Sequence, residues 1–299
     1  MIIRLIGAGA VGLSVAAKLK SVSDFALIVD KERYDRYSAG LTYNGKSANY
    51  ALLTPDVDSV KADLIILAVK NLQLYEALDE IAPFVKSDTI FLSLLNGIDA
   101  EEVLSSRFGS DKVLYSFITD LSSCHDGLET TCFHEGTIIF GEKDNSKSER
   151  VLALAALFDK AGQHYEIPED IIHSKWWKFM LNTCFNTLSA ILFADYYSIH
   201  DNDAFIRAVR LIAREVQSVA VSSGVILTQD DVEEMIRRVS ALKDHGQTSM
   251  LQDVLAHRET ENNYFAGAVS RLGKQNGVKT PLCDFAHILL EAKRHVYNA

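Results

Sequence analysis

The sequence predicts an α/β protein, with a doubly wound parallel sheet in its N-terminal half and a second, all-helical domain in its C-terminal half. Three observations predict it. Up to about residue 167, short apolar runs alternate with amphipathic segments, the pattern of βαβ units. A glycine-rich turn joins the first apolar run to the first amphipathic segment. Beyond Pro168 the apolar spacing becomes helical over long stretches that contain few glycines.

In chain order, residues 2–6, 25–29, 64–69, 89–95 and 113–117 read as strands. Residues 11–19, 72–82 and 100–108 read as helices, with Pro83 and Gly109 as stop signals. Two interruptions look antiparallel: Leu41-Thr42-Tyr43 runs into an Asn44-Gly45 turn, and the stretch 126–141 ends in the strand-like Thr137-Ile138-Ile139-Phe140. Helices are expected over stretches including 169–194, 203–222, 229–243 and 247–276, punctuated by Gly224 and Gly246, with Gly277 and Pro281 separating the last helix from its predecessor. The division is placed at residue 167, giving domains 1–167 and 168–299.

Gly7-Ala8-Gly9-Ala10-Val11-Gly12 satisfies G-x-G-x-x-G in the context that gives the motif its force, directly after a strand and opening a helix. The first glycine permits the tight turn, the second lets a pyrophosphate approach the backbone, and the third lets helix and strand pack closely. The helix N-terminus then offers free N–H groups and its positive dipole end to the phosphates. The N-terminal domain is therefore expected to be a Rossmann-type dinucleotide-binding domain.

Asp30 closes the second strand, where an acid can accept the adenosine ribose hydroxyls of NAD. Lys31 and Arg33 follow at once, and either can pair with the 2′-phosphate of NADP if Asp30 turns aside. Lys70 and Asn96-Gly97 each end a strand. In an open α/β sheet the ligand crevice lies outside the carboxyl ends of the strands, so both positions suit a nicotinamide or a substrate.

Composition excludes several other classes. Lys and Arg number 30 against 40 Asp and Glu, a formal net charge of -10, so the average field repels nucleic acid and anionic membranes. No apolar run is long enough to span a bilayer and no export signal is visible, which predicts a cytoplasmic protein. The four cysteines form no CxxC pair and the nine histidines no HExxH, so no metal site is expected. The sequence does not fix the oligomeric state; a homodimer is the assembly it leaves in view.

The segment Lys175-Trp176-Trp177-Lys178-Phe179-Met180-Leu181-Asn182-Thr183-Cys184-Phe185-Asn186 carries the second chemical signal. Lys178, Asn182 and Asn186 are spaced i, i+4, i+8 and share one helical face among apolar neighbours. Polar groups on such a helix must find partners or a ligand. The amides can hold a carboxylate or hydroxyl, and a lysine can give a proton and a positive charge to a developing alkoxide. Lys175 falls near the same stripe, so the pattern by itself does not name the acid.

With these residues in place, the chain resembles the ketopantoate reductase (2-dehydropantoate 2-reductase) family over nearly its whole length. The likeness runs from GAGAVG through Lys70, the LNG at 95–97 and WWKFMLN to SMLQD at 249–253 and RETEN at 258–262. It implies hydride transfer from a nicotinamide dinucleotide to a small 2-keto acid, with Lys178 as general acid. It further implies that Asn182 and Asn186 bind substrate, that Ser249 and Glu261 complete the site, and that Lys70 and Asn96 contact cofactor and substrate. Ser249 and Glu261 are expected on one long helix, twelve residues apart by their numbers and so close to whole turns. Two positions depart from the family's habit. Asp30 stands where many members that use NADPH carry a basic residue, and Thr187 replaces a proline often found after the second asparagine. The resemblance thus favours NADP while Asp30 favours NAD, and Asp30 keeps in play an NAD-dependent D-2-hydroxyacid dehydrogenase branch acting on bulkier 2-keto acids. A rival of another class is a dinucleotide-binding regulator without catalysis; the aligned lysine and amides argue against it.

Overall fold

The computed structural model describes residues 1–58 and 60–297. The chain forms two compact units, one from Met1 to Ile171 and one from Ile172 onward.

The first unit opens with β1 (Ile2–Ile6), α1 (Ala10–Leu19), β2 (Asp24–Ile28) and α2 (Lys31–Tyr37). The short strands β3 (Leu41–Tyr43), β4 (Lys46–Ala48) and β5 (Ala51–Leu53) follow. Next come β6 (Leu64–Leu67), α3 (Leu74–Ile81), β7 (Ile90–Ser93), α4 (Ala100–Phe108) and β8 (Val113–Thr119). The unit ends with β9 (Ser122–Asp126), β10 (Glu129–His134), β11 (Thr137–Gly141), α5 (Glu149–Ala161) and β12 (Tyr165–Glu166). The main sheet has the order β12-β11-β8-β7-β6-β1-β2-β5, parallel from β8 to β5. Beyond β8 it turns mixed, because β11 runs antiparallel to β8.

Strand β6 shows why the apolar runs are continuous. All four of its residues are buried; Leu64 and Ile66 join the core on one face with Leu13, Leu19 and Phe158, while Ile65 and Leu67 join the other with Leu78, Ile81 and Leu104. A sheet covered by helices on both faces has no polar side to alternate with. After β5 at one edge the chain crosses back to β6 beside β1. The order of the sheet therefore reverses between β1 and β6, the position at which open α/β sheets carry their ligand crevice.

The expected hairpin is present: β3 and β4 pair antiparallel across Asn44 (φ 51°) and Gly45 (φ 70°), both in the left-handed region that this turn demands. With β9 and β10 they form a small second sheet of order β4-β3-β10-β9, which is anchored to α1 by a Lys18–Glu135 ion pair at 2.6 Å. The helices α2 and α5 and the edge strands β5 and β12 are additions to the elements expected from the sequence.

The second unit is helical: α6 (Ile171–Leu192), α7 (Tyr196–Ile199), α8 (Asp203–Ser222), α9 (Gln229–Ser240), α10 (Ser249–Leu255), α11 (Ala266–Asn276) and α12 (Pro281–Tyr297). Its core is built from Phe179, Met180, Phe185, Val209, Val216, Met235 and Val269, all fully buried. Helix α9 starts at a capping box between Thr228 and Asp231, and α11 ends at Gly277, left-handed at φ 71°. With threonine at 187 in place of proline, α6 continues without a break to Leu192.

One expected helix is not there. The stretch 247–276 is two helices, α10 and α11, separated by a loop and a 3-10 turn at Asn262–Tyr264. His257 takes a left-handed conformation (φ 54°), ending α10, and Arg258 folds back so that its N–H donates to the Asp253 carbonyl at 2.8 Å and its Nε to the Asp253 carboxylate at 2.9 Å. Ser249 and Glu261 therefore do not share a helix. Among the described residues, no helix is long and apolar enough to cross a membrane.

Candidate active site

The sequence-predicted residues fall in two groups, one in each unit. In the first unit the glycine motif is dictated by space. Gly7 has φ 102°, and a Cβ there would stand 2.4 Å from the backbone carbon of Ala68 at the end of β6. A Cβ on Gly12 would lie 1.8 Å from the Gly7 carbonyl oxygen. Gly9 is different, since a Cβ there meets nothing within 4 Å. Gly9 is also the N-cap of α1, which begins with neither a side-chain cap nor an acid in its first turn. Ala8 is buried, while Ala10 and Val11 remain half-exposed around the same turn. Open space beside an uncapped helix N-terminus at the sheet's reversal point fits a dinucleotide pyrophosphate.

Asp30 follows β2 and caps α2. Its Oδ1 accepts from the Arg33 N–H at 2.6 Å and its Oδ2 from Arg33 Nη1 at 2.7 Å. Asp30 and Arg33 are thus brought together, whereas Lys31, on the same first turn, is exposed. Lys70 caps a 3-10 turn at Asn71–Gln73 after β6, and Asn96 follows β7. These two strand-end loops are tied to one another by Asn71, 1% exposed, whose Nδ2 donates to the Asn96 carbonyl at 3.0 Å. Sequence reasoning missed Asn71; its place directly after a strand-end lysine was the available signal.

In the second unit, Lys178, Asn182 and Asn186 lie along α6 as their spacing requires. Asn182 and Asn186 are buried, Lys178 is half-buried, and Lys175 is buried at 3% exposure. The Asn186 Nδ2 donates to Ser249 Oγ at 3.3 Å, so the start of α10 meets the polar stripe. Behind that contact lies a buried hydroxyl pair, Ser189 Oγ and Thr248 Oγ1, at 2.6 Å. The Ser189 hydroxyl donates to the Asn186 carbonyl, so Thr248 must donate to Ser189, and Thr248 Oγ1 in turn accepts from the Leu251 N–H as the cap of α10. This directional chain fixes Ser249 against Asn186. Ser189 continues the stripe at i+3 from Asn186, but its partner is remote in sequence, so spacing on one helix could not reveal the pair. Glu261 is buried and begins the 3-10 turn, its carbonyl accepting from the Tyr264 N–H at 2.9 Å.

The sequence matches the family described as Ketopantoate reductase PanE/ApbA over residues 3–145, and its C-terminal counterpart over residues 170–294. The chain belongs to the ketopantoate reductase family. It is an oxidoreductase whose cofactor is a nicotinamide dinucleotide. The 2-dehydropantoate 2-reductase of Pyrococcus horikoshii is 27% identical over 298 residues, covering 98% of this chain and 97% of the relative. Among solved structures, the ternary structure of D-mandelate dehydrogenase with NADH and anilino(oxo)acetate is 28% identical with a TM-score of 0.90, both chains covered in full. A 2-dehydropantoate 2-reductase from Geobacter metallireducens GS-15 is 26% identical with a TM-score of 0.86, covering 97% of this chain and 99% of that one. The first matched segment ends ahead of α5 and the second begins next to the start of α6, so α5 and β12 lie between them.

Proposed function

We propose that this chain reduces a 2-keto acid, 2-dehydropantoate first, to its 2-hydroxy acid, with NADH as the preferred donor. The observation that carries the reading is the stripe on α6, where Lys178 is aligned with two buried amides, one of them bonded to Ser249. When bound, the dinucleotide supplies a hydride from its nicotinamide ring. Gly7, Ala8, Gly9, Ala10, Val11 and Gly12 hold its pyrophosphate, and Asp30 takes the adenosine ribose. Lys178 holds a proton for the keto oxygen, and its charge stabilises the alkoxide as it develops. Asn182, Asn186 and Ser249 hold the carboxylate and hydroxyl of the acid, so that the carbonyl is presented in one orientation. Glu261 offers an acceptor to the Lys178 ammonium or to a substrate hydroxyl. Lys70 and Asn96, braced by Asn71, serve cofactor and substrate from the strand ends.

The preference for NADH rests on Asp30. Turning it aside for a 2′-phosphate gives up a helix cap worth about 0.5–2 kcal/mol as well as its pair with Arg33. Left in place, it faces the phosphate with like charge. A second substrate reading, a bulkier aromatic 2-keto acid, is favoured by the likeness to D-mandelate dehydrogenase, which at 28% identity is as near as that to the reductases. Steady-state assays following nicotinamide absorbance test both, crossing NADH and NADPH with 2-dehydropantoate and with benzoylformate. A higher kcat/KM for benzoylformate replaces the first substrate with the second; turnover of neither removes the reading.

A further inference from the structure

Arg33 is held by more than the cap residue beside it. Its Nη1 stands 2.7 Å from Asp30 Oδ2 and 4.0 Å from Oε1 of Glu80, a residue on α3 far away in sequence. The Glu80 side chain is only 13% exposed, and its second oxygen, Oε2, is buried with no hydrogen-bond partner. Burial pushes the Glu80 carboxyl up, Arg33 pulls it back down, and Asp30 and Glu76 push it up again. One guanidinium is thus shared by two carboxylates from two elements, with a surplus of negative charge.

This arrangement bears on the choice between the two dinucleotides. A 2′-phosphate that recruits Arg33 must draw it from both acids and then sit beside both, which like-charge juxtaposition opposes. A ribose hydroxyl makes no such demand, and Asp30 keeps lone pairs free to accept it. We propose that Glu80 is a specificity-determining residue: together with Asp30 it clamps Arg33, so that the adenosine end of the site favours a 2′-hydroxyl over a 2′-phosphate. The proposal rests on the reading that Asp30 marks the adenosine ribose. Its distinctive content is redundancy. With either acid removed, the other still holds the guanidinium, so full release of Arg33 requires both changes.

A purely structural ion pair predicts otherwise. At 4.0 Å and on a partly solvated guanidinium, the Glu80–Arg33 contact adds little to folding, so its loss leaves thermal stability nearly unchanged and moves no ligand preference.

The test compares the wild type with Glu80→Gln, Asp30→Asn and the double variant. The readouts are kcat/KM for NADH and NADPH, and calorimetric binding of adenosine 2′,5′-bisphosphate against 5′-ADP, which needs no turnover. The clamp predicts a wild type that favours NADH and 5′-ADP. It predicts that Glu80→Gln shifts the preference towards the 2′-phosphate ligands by about three- to tenfold, and that the double variant shifts it by more than the product of the single effects. Adding Arg33→Ala to the double variant should abolish the gain. A Glu80→Ala variant is read alongside, so that a folding defect in one substitution does not decide the result. A wild type that favours NADH, with Glu80 variants that leave the preference unmoved, overturns the clamp while sparing the NAD reading. A wild type that does not favour NADH overturns both.

Discussion

The two units carry their proposed functional groups by different means. In the first unit the proposed ligand groups are backbone: two glycines packed so tightly that a Cβ has no room, a third beside open space, and an uncapped helix end at the reversal of the sheet. In the second unit they are side chains carried along α6 and met from outside by Ser249. A backbone site is written into a few consecutive residues, because only glycine tolerates the geometry. A side-chain site is distributed, and its accuracy depends on bonds between segments remote in sequence.

Substitution puts that contrast to experiment. The largest effect is expected from Lys178→Ala, which should lower kcat by about 10²–10⁴ while melting temperature and dinucleotide binding hold. Wild-type turnover in that variant would move the proton donor to Lys175.

Next in size is a pair of glycine changes in the backbone site. Gly12→Ala drives a methyl group into the Gly7 carbonyl and should destabilise the first unit by about 1–3 kcal/mol or more, seen as an earlier thermal transition. Gly9→Ala meets no protein atom, so the fold should be kept while dinucleotide affinity drops by about tenfold, measured by calorimetry. Normal affinity in Gly9→Ala would mean that the space beside Gly9 is not where the pyrophosphate lies.

Ser189→Ala sharpens the side-chain half of the comparison. It leaves the Thr248 hydroxyl without its buried acceptor and loosens the start of α10, so KM for the keto acid should rise by about three- to tenfold with dinucleotide affinity unchanged. Ser189→Thr keeps a hydroxyl and should restore most of the loss. If KM stays put while the melting temperature falls, the hydroxyl pair serves only the fold.

The smallest effect is a pH dependence confined to the second unit. The Ser198 hydroxyl, then His245 and the Ser198 N–H, hold the Asp195 carboxyl below its ordinary value, at about 2. Because the folded value is the lower one, this contribution is complete above the ordinary carboxylate range and fades as pH falls towards 2. Solvent screening keeps it to about 0.5 kcal/mol or less, so Asp195→Asn should lower the melting temperature slightly at neutral pH and not at all near the acid limit. An equal loss at both ends of the range would trace the effect to something other than charge.

Legibility in the sequence followed the same division. Strand β1, the glycine turn and α1 stood out because turn, strand and helix signals agree over a dozen residues or so. The stripe on α6 was visible because one helix carries all three of its members. The break between α10 and α11 was not, because residues 247–266 contain neither proline nor glycine to mark a stop, and only the polar run from His257 to Asn263 signals it. There the helix is ended by His257 in a left-handed conformation and by Arg258 folding back on Asp253, a contact that propensity does not report. The pairing of Glu80 with Arg33 was hidden for a related reason: each residue looks like a solvated charge until two elements bring them together.

The fold-back of Arg258 also bears on how two of the proposed site residues are placed. Had Ser249 and Glu261 shared a helix, their separation would be set by its pitch, and any adjustment would have to come in whole turns. Carried on separate elements with the Arg258–Asp253 fold-back between them, Ser249 beside Asn186 and Glu261 at its 3-10 turn are not tied to a single helical register.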